Sequence, residues 1–282
     1  MPVLIEPSPL VKLSTTAYIW SFSKYKIYKE CNERYTREYL QHQRLPPNSQ
    51  KPFFQGSVAH NLIEEGRDAV LAGETTDLAS WCATNLARVF ATHAANVTDW
   101  LPGEIERAEV EAQEVTQAYV KLVLENELLT GRVLCEHTIG TRQKPRYLSN
   151  GVGLTGFIDW AKFISDTEVL VLDAKTSRNT NWLDRDQLVF YALAMESEFN
   201  VVVNRVAWMM IRWGQTLWYD ITEDDKSRLR SNLLTASLAV EQIDLHTDPT
   251  HGRCTPCPHS GVCATYAHWI LDGGVAATDV EF

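Results

Sequence analysis

The stretch "GFIDWAKFISDTEVLVLDAKTS", Gly156 to Ser177, carries Asp159, Asp173 and Lys175 at the ends of two apolar, strand-like segments. Side chains alternate along a strand with period two, so Asp173 and Lys175 share a face. A hairpin-like path between the segments brings Asp159 beside Asp173. Adjacent carboxylates repel one another, and a hard divalent cation is the usual neutraliser. Mg²⁺ or Mn²⁺ held in this way can activate water and stabilise a phosphoryl oxyanion. A lysine beside it orients or deprotonates that water and stabilises the developing charge. His60, in "GSVAH", is a further candidate ligand from an early helical segment.

A second constellation is made of sulfur. "CTPCPHSGVC" places Cys254, Cys257 and Cys263 in a C-x2-C-x5-C array. In a reducing compartment such spacing reads as thiolate ligation rather than disulfides. Three thiolates leave one coordination position, and Cys31 in "YKECNERY" is the candidate fourth ligand, although it lies far away in sequence. If Cys31 joins, the two ends of the chain meet, and binding energy becomes folding energy. Zinc and a [4Fe–4S] cluster both accept four thiolates. His251, His259 and His268 are close enough in sequence to replace Cys31 in a zinc site. Cys82 and Cys135 stand in apolar surroundings and read as buried thiols.

The elements that must position these groups follow from periodicity and punctuation. A helix is expected over Ser21 to Gln43, another over "GSVAHNLIEEGRDAVLAG", and a helical stretch from Thr76 to Glu127 broken at "WLPGE". "RVLCEHTIGT", "LTGFIDWAKFI" and "EVLVLDAKT" read as short strands. "LDRDQLVFYALAMESEF" returns to helix. "RVAWMMIRWGQTLWYDI" reads as a hairpin around Gly214 and Gln215, and a last helix covers Asp224 to Gln242. Helices packed on a central mixed sheet are the economical architecture.

The bulk numbers agree with one sizeable folded unit: 282 residues, 45% hydrophobic and 22% charged. No segment is long and apolar enough for a membrane span, and "MPVLIEPSPLVKLS" lacks the pattern of a secretory signal, so a cytoplasmic protein is expected. A net charge of −10 excludes an extended basic face for nucleic acid but allows a confined groove. Between Ser21 and Arg44 six Lys or Arg face three acids, and "TRQKPR" adds a second basic stretch.

The order "SFSKYKIYKEC", "GSVAH", "TGFID", "VLDAKTS", "QLVFY" and a terminal C-x2-C-x5-C resembles the RecB-like branch of the PD-(D/E)XK nucleases, in particular its iron–sulfur members. These include CRISPR-adaptation and phage exonucleases. The resemblance spans nearly the whole chain and implies an α/β, restriction-endonuclease-like core over residues 1–282. It also implies a helical insertion near 76–127, and a cluster-binding segment near 250–270 that joins the N- and C-terminal regions. It implies metal binding by His60, Asp159, Asp173 and the Ala174 carbonyl, with Lys175 as the catalytic lysine. Gln187 and Tyr191 match the Gln-x-x-x-Tyr helix that approaches DNA, and their i, i+4 spacing puts them on one face. Glu136 matches loosely as a supporting acid. Cys31, Cys254, Cys257 and Cys263 match the cluster ligands, which favours [4Fe–4S] over zinc.

Asn32 stands where relatives often carry proline, and Asp rather than Glu stands at 173; neither removes a ligand. The implied activity is a Mg²⁺- or Mn²⁺-dependent deoxyribonuclease, an exonuclease on single-stranded DNA or DNA ends. A phage-encoded copy would act in the host cytoplasm. No G-x-x-x-x-G-K-[ST] motif occurs, so unwinding would need a helicase or recombination partner. Trp182, Trp208, Trp213 and Trp218 are candidates for stacking on bases, against a simpler reading as core. The rival from another class is a non-catalytic DNA-binding or assembly module, which predicts a damaged carboxylate–lysine set.

Overall fold

The computed structural model describes residues 19–46, 50–242, 254, 257–263 and 267. His251, His268 and the N-terminal segment read above lie outside the described residues. In chain order the elements are β1 (Ile19–Trp20), α1 (Phe22–Glu30), α2 (Asn32–Tyr35), α3 (Lys51–Leu71), α4 (Leu78–Ala94) and α5 (Glu104–Glu125). There follow β2 (Val133–Ile139), β3 (Arg146–Tyr147), β4 (Gly153–Leu154), β5 (Gly156–Phe163) and β6 (Glu168–Lys175). The chain continues through α6 (Arg185–Phe199), β7 (Val202–Met210), β8 (Gln215–Asp220) and α7 (Glu223–Gln242).

A five-stranded sheet in the order β2–β5–β6–β7–β8 forms the centre. Its pairings are antiparallel except for β6 with β7, which is parallel and needs a crossover; α6 supplies it. β6 reads as a continuous apolar run because both its faces are covered. Val169 and Val171 join one core with residues of α1, α6 and α7. Leu172 and Ala174 join a second core with α3, α4 and α5. The mixed sheet flanked by helices is therefore observed, with one core on each face. A small sheet, β1–β4–β3, adjoins it, and Trp20 is buried there with its indole N–H donating to Ser237 Oγ at 2.8 Å.

Two boundaries differ from expectation. The helix anticipated over Ser21–Gln43 is interrupted at Cys31, whose backbone is extended. The Cys31 sulfur accepts the Arg34 backbone N–H at 3.4 Å and so caps α2, which lets the chain turn at that point. The helix carrying His60 starts at Lys51, so Gly56 lies inside it rather than at its start. A Cβ at Gly56 would come within 3.1 Å of Thr176 Oγ1, so the missing side chain permits α3 to approach the end of β6. No helix among the described residues is long and apolar enough to cross a membrane.

Candidate active site

The site grows from one row of the sheet. The β5–β6 ladder ends at Trp160↔Leu172, and continuing that register sets Asp159 opposite Asp173. There the Ala174 amide donates to Asp159 Oδ2 at 2.7 Å, so a side chain takes the place of the next ladder bond. On the other side of β5, the β2 register Cys135↔Trp160 and His137↔Ile158 sets Glu136 opposite Asp159. Glu136 has φ 47°, a left-handed conformation unusual for a non-glycine residue in a strand. Asp173 in turn lies in register with Trp208 of β7. Three carboxylates therefore occupy one row across β2, β5 and β6.

Helices approach this row from both faces. From α3, His60 Nδ1 lies 2.7 Å from Glu136 Oε1, and its Nε2 is 3.9 Å from Asp159 Oδ2. Hydrogen bonding at Nδ1 orients the ring and directs Nε2 inward. Tyr119 of α5 packs edge-on against that ring at 5.4 Å and accepts the Trp160 indole N–H at 2.8 Å. From α6, Gln187 Nε2 donates to Asp173 Oδ1 at 3.1 Å and to the Tyr191 hydroxyl at 2.9 Å. Lys175 Nζ is ion-paired with Asp173 Oδ2 at 2.6 Å and stands 5.0 Å from the Trp208 ring centre. The N-terminus of α6 is itself tied to α1, since Lys29 Nζ reaches Asp184 at 2.8 Å and Asp186 at 3.1 Å.

Burial and charge act against each other here. Burial raises the Asp173 pKa to about 7, against the opposing pull of Lys175. Asp159 is raised by the same cause, against His60 and Lys175. Burial pulls His60 down, but Asp159 and Glu136 outweigh it and lift it to about 9. Lys175 likewise ends raised, because Asp173 and Asp159 outweigh its desolvation. Tyr191 is held well above the ordinary phenol value by burial and by Asp173 and Asp159, so it remains a phenol. Such a set has the composition that a hard dication complements. The ligand atoms of His60, Glu136 and Asp159 all lie within 4.8 Å of one another, which suits a single ion.

Residues 19–264 match the PD-(D/E)XK nuclease superfamily. The chain belongs to that superfamily. No curated protein matches this nuclease-superfamily chain in sequence. A solved structure of a candidate exonuclease from Eubacterium rectale is similar to it with a TM-score of 0.51 at 11% identity, covering 99% of this chain and 97% of that one. A second, SSO0001, aligns with a TM-score of 0.38 at 14% identity over 88% of this chain and 87% of that one, and carries no argument. At these identities the likeness is one of fold.

The structure brings Asp159, Asp173, Lys175, His60, Gln187 and Tyr191 together. The contact recorded at Ala174 runs through its amide, not its carbonyl. Glu136 belongs to the same group, although its loop-like backbone inside a strand left no periodic signal. Tyr119 and Trp160 went unnoticed because an aromatic on an apolar face looks the same whether it fills a core or braces a ligand. Trp208 is 2% exposed and lies beneath Lys175, so it is not available to a base. Trp218 is partly buried under Arg205, whose guanidinium lies 4.9 Å from its ring. The Trp182 side chain lies outside the described residues.

The four cysteines share a neighbourhood of their own. Cys254 is raised by burial and then by Cys31, Cys257 and Cys263. Cys31 is raised by burial and also by Cys257 and Cys263. His259, the described member of the alternative histidine ligands, is buried, with Nε2 3.6 Å from Glu38 Oε1. Cys82 is buried and Cys135 half-buried, and desolvation raises the pKa of both thiols.

Proposed function

We propose that this protein is a divalent-metal-dependent deoxyribonuclease that degrades single-stranded DNA or DNA ends as an exonuclease. The observation that carries the reading is the placement of Asp159 opposite Asp173, with Lys175 on the face of Asp173 and His60 entering from α3. In this reading His60 Nε2, Asp159, Asp173 and the Ala174 carbonyl hold Mg²⁺ or Mn²⁺. When bound, the ion supplies charge stabilisation and lowers the pKa of water. Glu136 keeps His60 in the tautomer that leaves Nε2 free. Lys175, its pKa raised, serves as an ammonium that orients the attacking water and offsets charge on the scissile phosphate. Gln187 fixes the rotamer of Asp173 and, with Tyr191, faces the substrate strand. The likeness in fold to the E. rectale candidate exonuclease agrees with this direction.

Cys31, Cys254, Cys257 and Cys263 are proposed to hold a [4Fe–4S] cluster, with zinc as the alternative. Besides desolvation, the charges of Cys257 and Cys263 raise Cys31, and those of Cys31, Cys257 and Cys263 raise Cys254, as expected of donors close to one another. Anaerobic purification followed by metal analysis separates the two: iron with broad visible absorption, or zinc without it.

The activity is tested with end-labelled single- and double-stranded DNA in Mg²⁺ or Mn²⁺, comparing wild type with Lys175→Ala. Metal-dependent cleavage, reduced by roughly 10²–10⁴-fold in the variant, is expected. Folded wild type that binds DNA but cleaves no end or strand would favour the non-catalytic module. Cleavage unaffected by the variant would remove this assignment of the site.

A further inference from the structure

Beyond the catalytic row, the tip of the β7–β8 hairpin and the chain leaving β6 enclose a second feature. Lys175 is in register with Met210, the last residue of β7, and the chain then turns through Ile211–Trp213. Gly214, at φ 59°, closes the turn in a left-handed conformation. Ile211 is buried, but Trp213 emerges 43% exposed. Beyond the end of β6, Arg178 follows Lys175 by three residues and its side chain is 73% exposed.

These two residues border a cavity of about 320 Å³, whose other walls are Glu114, Val115 and Ala118 of α5 and Arg212. Ala118 precedes Tyr119, the residue braced against His60. Arg212, another of its walls, donates from Nε to the carbonyl of Thr176, the residue after Lys175, so the cavity lies at the end of β6 that carries the catalytic lysine.

The lining residues divide by how firmly they are held. Arg212 is committed: its Nη1 is 2.6 Å from Glu111 Oε1 and its Nε donates to the Thr176 carbonyl. It acts as framework. Arg178 reaches the same Glu111 oxygen only at 3.8 Å, an exposed pair of little energetic weight. It can turn to an incoming anion. Glu114 on the α5 wall disfavours a phosphate on that side. An exposed indole beside an available guanidinium suits a ligand with a flat aromatic part and an anionic part.

We propose that this cavity is a nucleotide subsite that takes the base and flanking phosphate of one unpaired nucleotide next to the scissile bond. The base stacks on Trp213 and the phosphate pairs with Arg178. The volume lies at the small end of ligand pockets, which suits a single nucleotide and not a duplex. A paired base cannot enter without leaving its stack, so the subsite selects single strands or frayed ends. It also gives a chain of net charge −10 a confined, stacking-assisted grip in place of a broad basic face. The inference rests on the nuclease reading of the adjoining row.

The test uses full-length protein carrying Lys175→Ala, so that DNA stays intact, and fluorescein-labelled oligonucleotides read by anisotropy in Mg²⁺. Adding Trp213→Ala is expected to weaken single-strand binding by roughly 5- to 150-fold, the range of one lost base–aromatic stack. Trp213→Phe should restore most of it, and a blunt duplex should bind alike in all three. Arg178→Ala, at an exposed position, should weaken binding and reduce the salt slope by about one. An abasic residue scanned along the strand should cost affinity at one position in the Lys175→Ala parent, and nothing further there with Trp213→Ala. Unchanged single-strand binding in Trp213→Ala and Arg178→Ala would overturn the subsite. So would equal losses on duplex and single strand, or the absence of a coupled abasic position. The nuclease reading fails separately, through cleavage by wild type and Lys175→Ala as described above.

Discussion

The carboxylate row and the cysteine set are the two ligand-rich regions of this fold, and they are held in different ways. Each acid of the row is fixed by a regular element: Asp159 by the Ala174 amide, Asp173 by Gln187, Glu136 by His60. The backbone ladder and the packed helices supply the contacts that hold that site. The cysteines have less of such a frame among the described residues, where Cys31 caps α2. Cys31 sits at a break between two helices, and its partners come from a stretch with one short turn among the described residues, Ser260–Val262. On the proposed reading, the row uses the fold to make a site, whereas the cysteines would use a bound metal to make part of the fold.

The largest test of that contrast is to remove a ligand from each region. Cys31→Ser or Cys257→Ser should lower the thermal midpoint by about 10 °C or more and release the cysteine-bound metal, since binding there is folding energy. Chelation of that metal should do the same to wild type. Asp159→Asn should abolish cleavage yet leave the midpoint within a few degrees. Equal losses of stability from both kinds of variant would erase the distinction.

A second test concerns pH in protein stripped of divalent cations. The folded pKa of Asp173, about 7, lies above its ordinary value of 3.8, so the folded state binds the extra proton between those limits. Stability therefore falls as pH rises from about 4 to about 7, and the loss persists above that range. Asp173→Asn should be the more stable protein at pH 8 and indistinguishable near pH 4. Mg²⁺ or Mn²⁺ should recover stability at pH 8 in wild type and much less in the variant. His60, raised to about 9, works in the same sense in a higher window: its contribution is full below about 6.5 and is lost as pH rises through 9. Urea melts across this range measure both.

Smaller effects probe the helices that brace the row. Gln187→Ala frees Asp173 Oδ1 and should lower kcat by about tenfold with little change in the midpoint, measured by single-turnover cleavage. Gly56→Ala places a methyl about 3.1 Å from Thr176 Oγ1. The gain in helix propensity, about 1 kcal/mol, offsets that crowding, so stability should hardly move. Activity should fall only a few-fold, as α3 shifts His60 with it.

The sequence made the central strands legible because β5 and β6 carry apolar runs that end in charge. It also placed the helices flanking them, whose apolar positions recur with helical spacing. The grouping of Asp159, Asp173, Lys175 and His60 was readable because an acid at the end of a buried run has few structural reasons to be there. Cys31 was not readable as a helix break, since capping by sulfur has no strong propensity signature. Glu136 was only half visible, because its left-handed backbone is imposed by neighbours on other elements. Tyr119 and the buried role of Trp208 depend on long-range packing that local periodicity does not encode. Trp213 could be separated from its neighbours only once the hairpin tip was seen to face α5.

The order of strands in the main sheet has a consequence for how the chain reaches this state. β2, β5, β6, β7 and β8 are neighbours in space in the same succession in which they occur along the chain. Each strand can add to one already formed, although the parallel β6–β7 pairing must first span α6. α3, α4 and α5 precede the sheet during synthesis and emerge with the apolar face of the second core uncovered. They must wait for β5 and β6 before that face is buried. His60 and Asp159 lie on elements separated in the chain by α4, α5 and β2–β4, so a nascent chain carries the separate parts of the centre before β5 and β6 complete it.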